Sequence, residues 1–269
     1  MLDGKKVGVV GCGNMGSALA AGAMEAGLPK AALFVYDIDS AKISRLVAAG
    51  AKAVEDPREL VERCDIVVLA VKPQSLRDAL PPLVESFGPK KLLISILAGV
   101  RTSALEEMLP AGTPVVRAMP NSPALIGMGF TALCAGAGAS EKHVGLAREL
   151  FKAVGEVFMF DEGDMDAVTA LSGSGPAYVF YLIETLAEAG VRIGLPQEIA
   201  DNMALLTVRG SAELMLRTGE SASELRRRVT SPGGTTEAAL GVLAERGWAK
   251  ALVDAVAAAR RRSRELSSS

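Results

Sequence analysis

At 269 residues the chain is long for a single domain, and the usual ~100–200 residues per domain points to two. Apolar residues make up 49% of it and aromatics only 4%, so its cores are expected to be aliphatic and rich in alanine. A net charge of −2 leaves no electrostatic footprint for nucleic acid or an anionic membrane. No apolar run reaches the ~18 residues that span a bilayer, and the first residues lack a signal-peptide pattern, so a cytoplasmic location is expected. Cys12, Cys64 and Cys134 are odd in number and widely spaced without a C-x-x-C pair, which indicates neither a disulfide framework nor a metal site.

Apolar strands are expected at Val7 to Val10, Leu33 to Tyr36, Ile66 to Val71, Leu92 to Ile96 and Val115 to Met119. Helical stretches fall between them, near Asn14 to Ala26, Ser40 to Ala49, Pro57 to Arg63, Ser75 to Phe87 and Thr102 to Leu109. This alternation predicts an α/β fold with a doubly wound, mostly parallel sheet. Phe130 to Cys134 and Glu156 to Phe160 read as two last strands around a helix from Glu141 to Val154, closing a first domain over residues 1–161.

From Asp164 onward the pattern contains no convincing strand. Helices are expected at Pro176 to Ile193, Pro196 to Arg217, Ala222 to Val229, Thr235 to Glu245 and Trp248 to Arg264, giving an all-helical second domain over residues 162–269. Tyr178 to Ala189 and Ala200 to Leu214 are apolar around most of their circumference. Helices of that kind must be buried, and a domain of ~105 residues has too few partners to bury several by itself, so an intertwined or extensive subunit interface is expected in preference to an unusually alanine-rich monomeric bundle.

The first strand flows into Gly11-Cys12-Gly13-Asn14-Met15-Gly16, a G-x-G-x-x-G turn opening a helix. Gly11 suits the tight turn, Gly13 the approach of a pyrophosphate and Gly16 close packing of helix on sheet, while the helix start offers N–H groups to phosphate. Val35-Tyr36-Asp37 ends the next strand about twenty residues on, as a dinucleotide fingerprint requires. Val71-Lys72-Pro73-Gln74 and Met119-Pro120-Asn121-Ser122-Pro123 lie at carboxyl ends of strands, where ligands of open α/β sheets bind. Ser172-Gly173-Ser174-Gly175-Pro176 and Ser231-Pro232-Gly233-Gly234-Thr235-Thr236 precede helices. Their N–H groups and hydroxyls suit a carboxylate, and equally suit helix capping. With His143 as the sole histidine, on a surface helix, no histidine-based nucleophilic site can be assembled. Hydride transfer to a polarised C=N bond needs little more than positioning, whereas a ketone usually wants a dedicated proton donor.

Together these five motifs resemble pyrroline-5-carboxylate reductase over nearly the whole chain. The resemblance implies a Rossmann domain followed by a helical dimerisation domain, and reduction of 1-pyrroline-5-carboxylate to L-proline by NADPH or NADH. It further implies interleaved homodimers, often assembled into decamers, with the active site at the dimer interface. By motif, Gly11, Gly13, Asn14, Met15, Gly16 and Asp37 would bind the cofactor. Val71, Lys72, Pro73, Met119, Pro120 and Asn121 would position its nicotinamide. Ser231, Gly233, Gly234, Thr235 and Thr236 would bind the substrate carboxylate, with Ser174 and Gly175 shaping the pocket. Ser174 and Thr236 are the candidate catalytic hydroxyls, Thr236 contacting the ring nitrogen or carboxylate. Arg226 to Arg228 would either steer the anionic substrate or form a solvated helix face. Asp37 departs from the family's usual 2′-phosphate acceptors, and Pro57 stands where members commonly have Asn; both favour NADH. A 3-hydroxyacid dehydrogenase would need a catalytic lysine in the second domain, and none lies between Asp164 and Arg246. A dinucleotide sensor would have no evident need for the second, substrate-binding set of motifs.

Overall fold

The computed structural model describes Leu2 and residues 4–267. Of these, one compact unit comprises the described residues up to 174 together with 259–267, and a second comprises residues 175–258. The first unit is built on eight strands: β1 Val7–Val10, β2 Leu33–Tyr36, β3 Lys52–Ala53, β4 Ile66–Leu69, β5 Leu92–Ser95, β6 Val115–Pro120, β7 Gly129–Ala135 and β8 Gly155–Met159. Their order is β3-β2-β1-β4-β5-β6-β7-β8, parallel throughout except where β7 runs antiparallel to β6. Every residue of β1, β4 and β5 is buried, which is why these strands read as near-continuous apolar runs with no alternation, Ser95 at the end of β5 being the polar exception.

Helices α1 Asn14–Glu25, α2 Ser44–Ala49, α3 Pro57–Arg63, α4 Leu76–Ala79, α5 Thr102–Met108, α6 Glu141–Lys152 and α7 Met165–Val168 belong to this unit, as does the end of the last helix of the chain. Val9, Val35, Val68 and Ile94 face one way and pack with Leu19 of α1 and Phe151 of α6. Val10, Val67, Leu69 and Leu93 face the other way and pack with Leu60 of α3 and Leu105 of α5. The sheet is therefore covered on both faces. Chain order reverses between β1 and β4, so the crevice expected to hold a ligand lies at the carboxyl ends of those two strands.

Three local features depart from the expected pattern. The stretch Ser40 to Ala49 is a 3₁₀ turn (Ser40–Lys42) and then α2, because the Asp39 side chain accepts the Ala41 N–H at 3.1 Å and starts the chain locally. Ser75 to Phe87 likewise breaks into α4 between two 3₁₀ segments, since Pro81 and Pro82 cannot donate to a continuing helix. Strand β3 is only two exposed residues and carries no readable periodicity.

The second unit contains α8 Gly175–Arg192, α9 Gln197–Thr218, α10 Ala222–Arg228, α11 Thr235–Glu245 and most of α12 Trp248–Ser267. Helices α8 and α9 meet through small residues: a Cβ on Gly190 would stand 3.0 Å from the Cβ of Ala200. Among described residues 175–258 only Ala187, Ala200 and Ala204 are buried, while Phe180, Tyr181, Leu205, Leu206 and Val253 are exposed. Three alanines are no core. Helices this apolar with so little covered need further protein surface to be stable in water.

Candidate active site

The glycine turn after β1 has two closed sides and one open side. Gly11 adopts φ +94°, and a Cβ there would stand 2.7 Å from the Ala70 main chain. A Cβ on Gly16 would meet the Gly11 carbonyl at 2.0 Å, so α1 leaves the sheet as tightly as it can. Over Gly13 there is nothing within 4 Å. Gly13 is the N-cap of α1 without a side-chain cap, and no acidic residue occupies the first turn. The N–H groups there are left to a ligand, and the helix dipole favours an anionic one.

A cavity of about 510 Å³ adjoins this turn, lined by Gly11, Gly13, Asp37, Val71 and Lys72 among others. Five of the expected cofactor residues therefore share one wall system. Asn14 is exposed at the helix start, Met15 packs into the core beneath, and Pro73 begins the 3₁₀ turn after Lys72. The sequence did not single out Ile38 and Lys42, which also line the cavity. Ile38 is 92% exposed, an apolar side chain held in water at a cavity wall, where the flat face of a base would cover it. Its signal was an aliphatic residue inside the otherwise polar Asp37-Ile38-Asp39-Ser40.

Asp37 does not present a free carboxylate. Its Oδ2 accepts the Cys12 N–H at 2.8 Å, and its Oδ1 accepts the Asp39 N–H at 2.9 Å and the Lys42 ammonium at 3.3 Å. Burial would push its pKa up, but these hydrogen bonds and the Lys42 charge outweigh that and hold it below the usual range. Asp37 is thus a tie between the glycine turn and the loop after β2, with a cation beside it.

At the end of β6, Asn121 follows the last paired residue and points its amide into the protein. Oδ1 accepts the Phe130 N–H at 2.9 Å, and Nδ2 donates to Ser172 Oγ at 3.1 Å. Ser172 belongs to a π-helical turn, Thr169–Gly173, closed by the Ser174 N–H on the Thr169 carbonyl at 2.9 Å. A Cβ on Gly173 would stand 2.5 Å from Met119 Cε. Met119 and Asn121 are thereby committed to the turn that leads into Ser174, and Pro120 is buried between them.

In the second unit, Ser231 to Thr236 form the entry to α11. Gly233 has φ +68°, the Gly234 N–H bonds back to the Ser231 carbonyl at 3.0 Å, and Gly234 is an N-cap with no side-chain cap. Glu237 reaches back so that its Oε2 accepts the Gly233 N–H at 2.7 Å. That residue was not among the expected ones, although an acid three residues past the N-cap is the usual sign of a side chain returning to helix-start N–H groups. Arg227 and Arg228 are paired with Glu224 and Glu220, so this part of the arginine run is a charge-balanced helix face.

Titratable candidates for proton transfer are scarce. His143 accepts the Ser140 N–H at 3.1 Å in a capping box and lines a hollow with Lys5 and Asp65, beside the amino ends of β1 and β4. It sits at the edge of the sheet away from the glycine turn, and burial and Lys142 hold its pKa down. Cys12, Cys64 and Cys134 are buried, and burial pushes each thiol up to about 12. What remains at the cavity beside the glycine turn is a set of main-chain donors with Lys42 and Lys72, and at the α11 entry, taken by itself, a set of main-chain donors and hydroxyls; each is suited to holding an anion.

Comparison with known proteins agrees with that chemistry. Residues 162–266 match a family model described as pyrroline-5-carboxylate reductase dimerisation, and residues 6–99 match one described as NADP oxidoreductase, coenzyme F420-dependent. The chain is 39% identical to a pyrroline-5-carboxylate reductase of Pseudomonas aeruginosa, covering 97% of this chain and 96% of that one. It is 38% identical to one from Arabidopsis thaliana, covering 98% and 96%. The crystal structure of Plasmodium falciparum pyrroline carboxylate reductase with NADP bound superposes with a TM-score of 0.90 at 34% identity, covering 98% and 99%.

Proposed function

The chain belongs to the pyrroline-5-carboxylate reductase family, and on that premise we propose how its residues divide the work. It reduces the C=N bond of 1-pyrroline-5-carboxylate to L-proline, the last step of proline biosynthesis, and it oligomerises through its helical region. Bound NADPH or NADH supplies a hydride to the imine carbon, while the ring nitrogen gains one proton as C=N becomes C–N.

The cradle fits a dinucleotide, because Gly13 alone of the three motif glycines faces open space. Gly13, Asn14, Met15 and Gly16 hold the pyrophosphate through main-chain N–H groups and the α1 dipole, while Gly11, its own N–H donated to the Tyr36 carbonyl, makes the turn that presents them. Val71, Lys72 and Pro73 flank the cavity beyond β4, and Met119 and Pro120 set the wall beside the nicotinamide. Asp37 and Lys42 stand at the ribose end. With both Asp37 oxygens engaged and Lys42 adjacent, a 2′-phosphate meets a cation as well as a carboxylate, which supports use of NADPH alongside the NADH that Asp37 alone would favour.

Residues 162–269 act as the substrate-binding and dimerisation domain, after a dinucleotide-binding domain of residues 1–161. Ser231, Gly233, Gly234, Thr235 and Thr236 receive the substrate carboxylate, the Thr236 hydroxyl turned to the ring nitrogen or carboxylate. Ser174 and Gly175 shape the pocket around the ring. Rate enhancement comes mainly from orientation of a substrate that is already electrophilic. The dimers assemble further into decamers in the cytoplasm.

The observation that carries the substrate assignment is the entry to α11, a helix start with no side-chain cap preceded by left-handed Gly233. Thr236→Val tests it. A hydrogen bond to a charged group contributes about 1.5–3 kcal/mol, so kcat/KM for 1-pyrroline-5-carboxylate should fall about tenfold or more while the NADPH Kd holds. Unchanged kcat/KM would contradict the assignment.

A further inference from the structure

We infer that Asn121 is a positioning residue, not a nicotinamide contact: its amide ties the end of β6 to the π-helical turn and so fixes where Ser174 stands. The inference rests on the role proposed above for Ser174.

The ladder between β6 and β7 ends at Pro120 opposite Thr131. Beyond it the main chain turns away into the 3₁₀ segment Ser122–Ile126, and the Asn121 carbonyl accepts the Ala124 N–H at 3.1 Å. Asn121 Oδ1 then serves the Phe130 N–H that the ladder no longer reaches. This bond orients the amide plane, and the opposite end of that plane, Nδ2, falls on Ser172 Oγ. Two residues earlier on the same side of the strand, Met119 lies against Gly173 at the point where any side chain would sit. Consecutive residues of the turn are thus gripped from one strand.

A π-turn needs such a grip. Its bonds run one residue longer than those of an α-helix, and single π-turns persist mostly at functional sites. The bond that closes this one is donated by Ser174 itself, so the position of that residue follows directly from the turn.

Ser172→Ala removes the far end of the tie without touching the glycine cradle, and Ser172→Thr restores the hydroxyl. For Ser172→Ala, kcat with 1-pyrroline-5-carboxylate should fall about 10–100-fold, the scale of a misplacement remote from the chemistry. The NADPH Kd, measured by fluorescence without substrate, should stay within about twofold, and Ser172→Thr should recover most of the lost kcat. Amide hydrogen exchange of the segment 169–174 should quicken in Ser172→Ala and not in Ser172→Thr. Asn121→Ala should give the same pattern. A proportionate rise in NADPH Kd in Asn121→Ala and Ser172→Ala would show a cofactor contact and overturn the inference. Unchanged kcat in an active protein, or unchanged exchange in the segment, would overturn it too. Inactive wild-type protein with quickened exchange in the variant would instead sink the reading of Ser174 and leave the tie standing.

Discussion

Glu162 and Arg117 form the most consequential charge pair of the first unit, and Glu162→Gln is the perturbation that isolates it. Arg117 is 1% exposed on β6, with its Nη1 paired to Glu162 Oε1. Among the described residues its Nε and Nη2 have no hydrogen-bond partner, so that carboxylate is the main compensation for a buried cation. Glu162 Oε2 also accepts the Thr102 hydroxyl at 2.7 Å and the Thr102 N–H at 3.1 Å. Breaking a fully buried pair from one side costs about 3–5 kcal/mol. Glu162 retains partial exposure and glutamine can still accept from Thr102, so about 2–4 kcal/mol is expected here. For a unit of this size that lowers Tm by about 5–15 °C, measured by scanning calorimetry at fixed protein concentration. The pH dependence has a defined sign. Burial would push the Glu162 pKa up, but the Thr102 and Arg117 hydrogen bonds outweigh it and hold the group below its ordinary 4.5. Its stabilisation is therefore complete well above that value and is lost as pH falls through the lower folded-state value. The gap between wild type and Glu162→Gln should be full at neutral pH and close in acid. Glu59→Gln, which breaks only the exposed pair with Arg63, should cost less than about 1 kcal/mol. An equal gap at neutral and acid pH, or a Glu162 effect no larger than that of Glu59, would refute the reasoning.

Lys42→Ala should lower kcat/KM with NADPH about tenfold relative to NADH, since one charge-assisted bond to a 2′-phosphate is lost while the Asp37 ties to Cys12 and Asp39 remain. An unchanged ratio would remove Lys42 from cofactor recognition. Glu237→Gln should reduce KM for 1-pyrroline-5-carboxylate several-fold, about twofold to tenfold, because it discharges a carboxylate that competes for the Gly233 N–H; a raised KM would instead make Glu237 part of the receptor. The three buried thiols should resist iodoacetamide in the native protein and react fully in denaturant, a pKa of about 12 leaving on the order of one in ten thousand as thiolate at mildly alkaline pH. Rapid native labelling would place a cysteine at the surface.

The sequence carried some parts of this structure plainly and others not at all, for physical reasons. Strands buried on both faces are continuous apolar runs, so β1 and β2 were legible to the residue, and α3 and α11 were bounded by their Pro and Gly-Thr starts. The glycine turn was legible because Gly11 and Gly16 answer steric demands that no other residue meets. The orientation of polar side chains was not. Asp37 could be placed at the end of β2, but its engagement by Cys12, Asp39 and Lys42 depends on the break in the helix after Asp39 that brings Lys42 back. Asn121 was read from its motif as a residue beside the nicotinamide, and its bond to Ser172 was out of reach, because that bond spans 51 positions and a π-turn that no periodicity announces. Arg117 sits in a strand of buried apolar residues, and its partner 45 positions away has no local signature.

The most direct test of the account is the loss of reduced-nicotinamide absorbance with 1-pyrroline-5-carboxylate, run in parallel with NADH and NADPH over a range of cofactor concentrations. Oxidation of both cofactors that depends on the imine, with L-proline as product, is the predicted result. A folded, dinucleotide-binding protein that oxidises neither would contradict it.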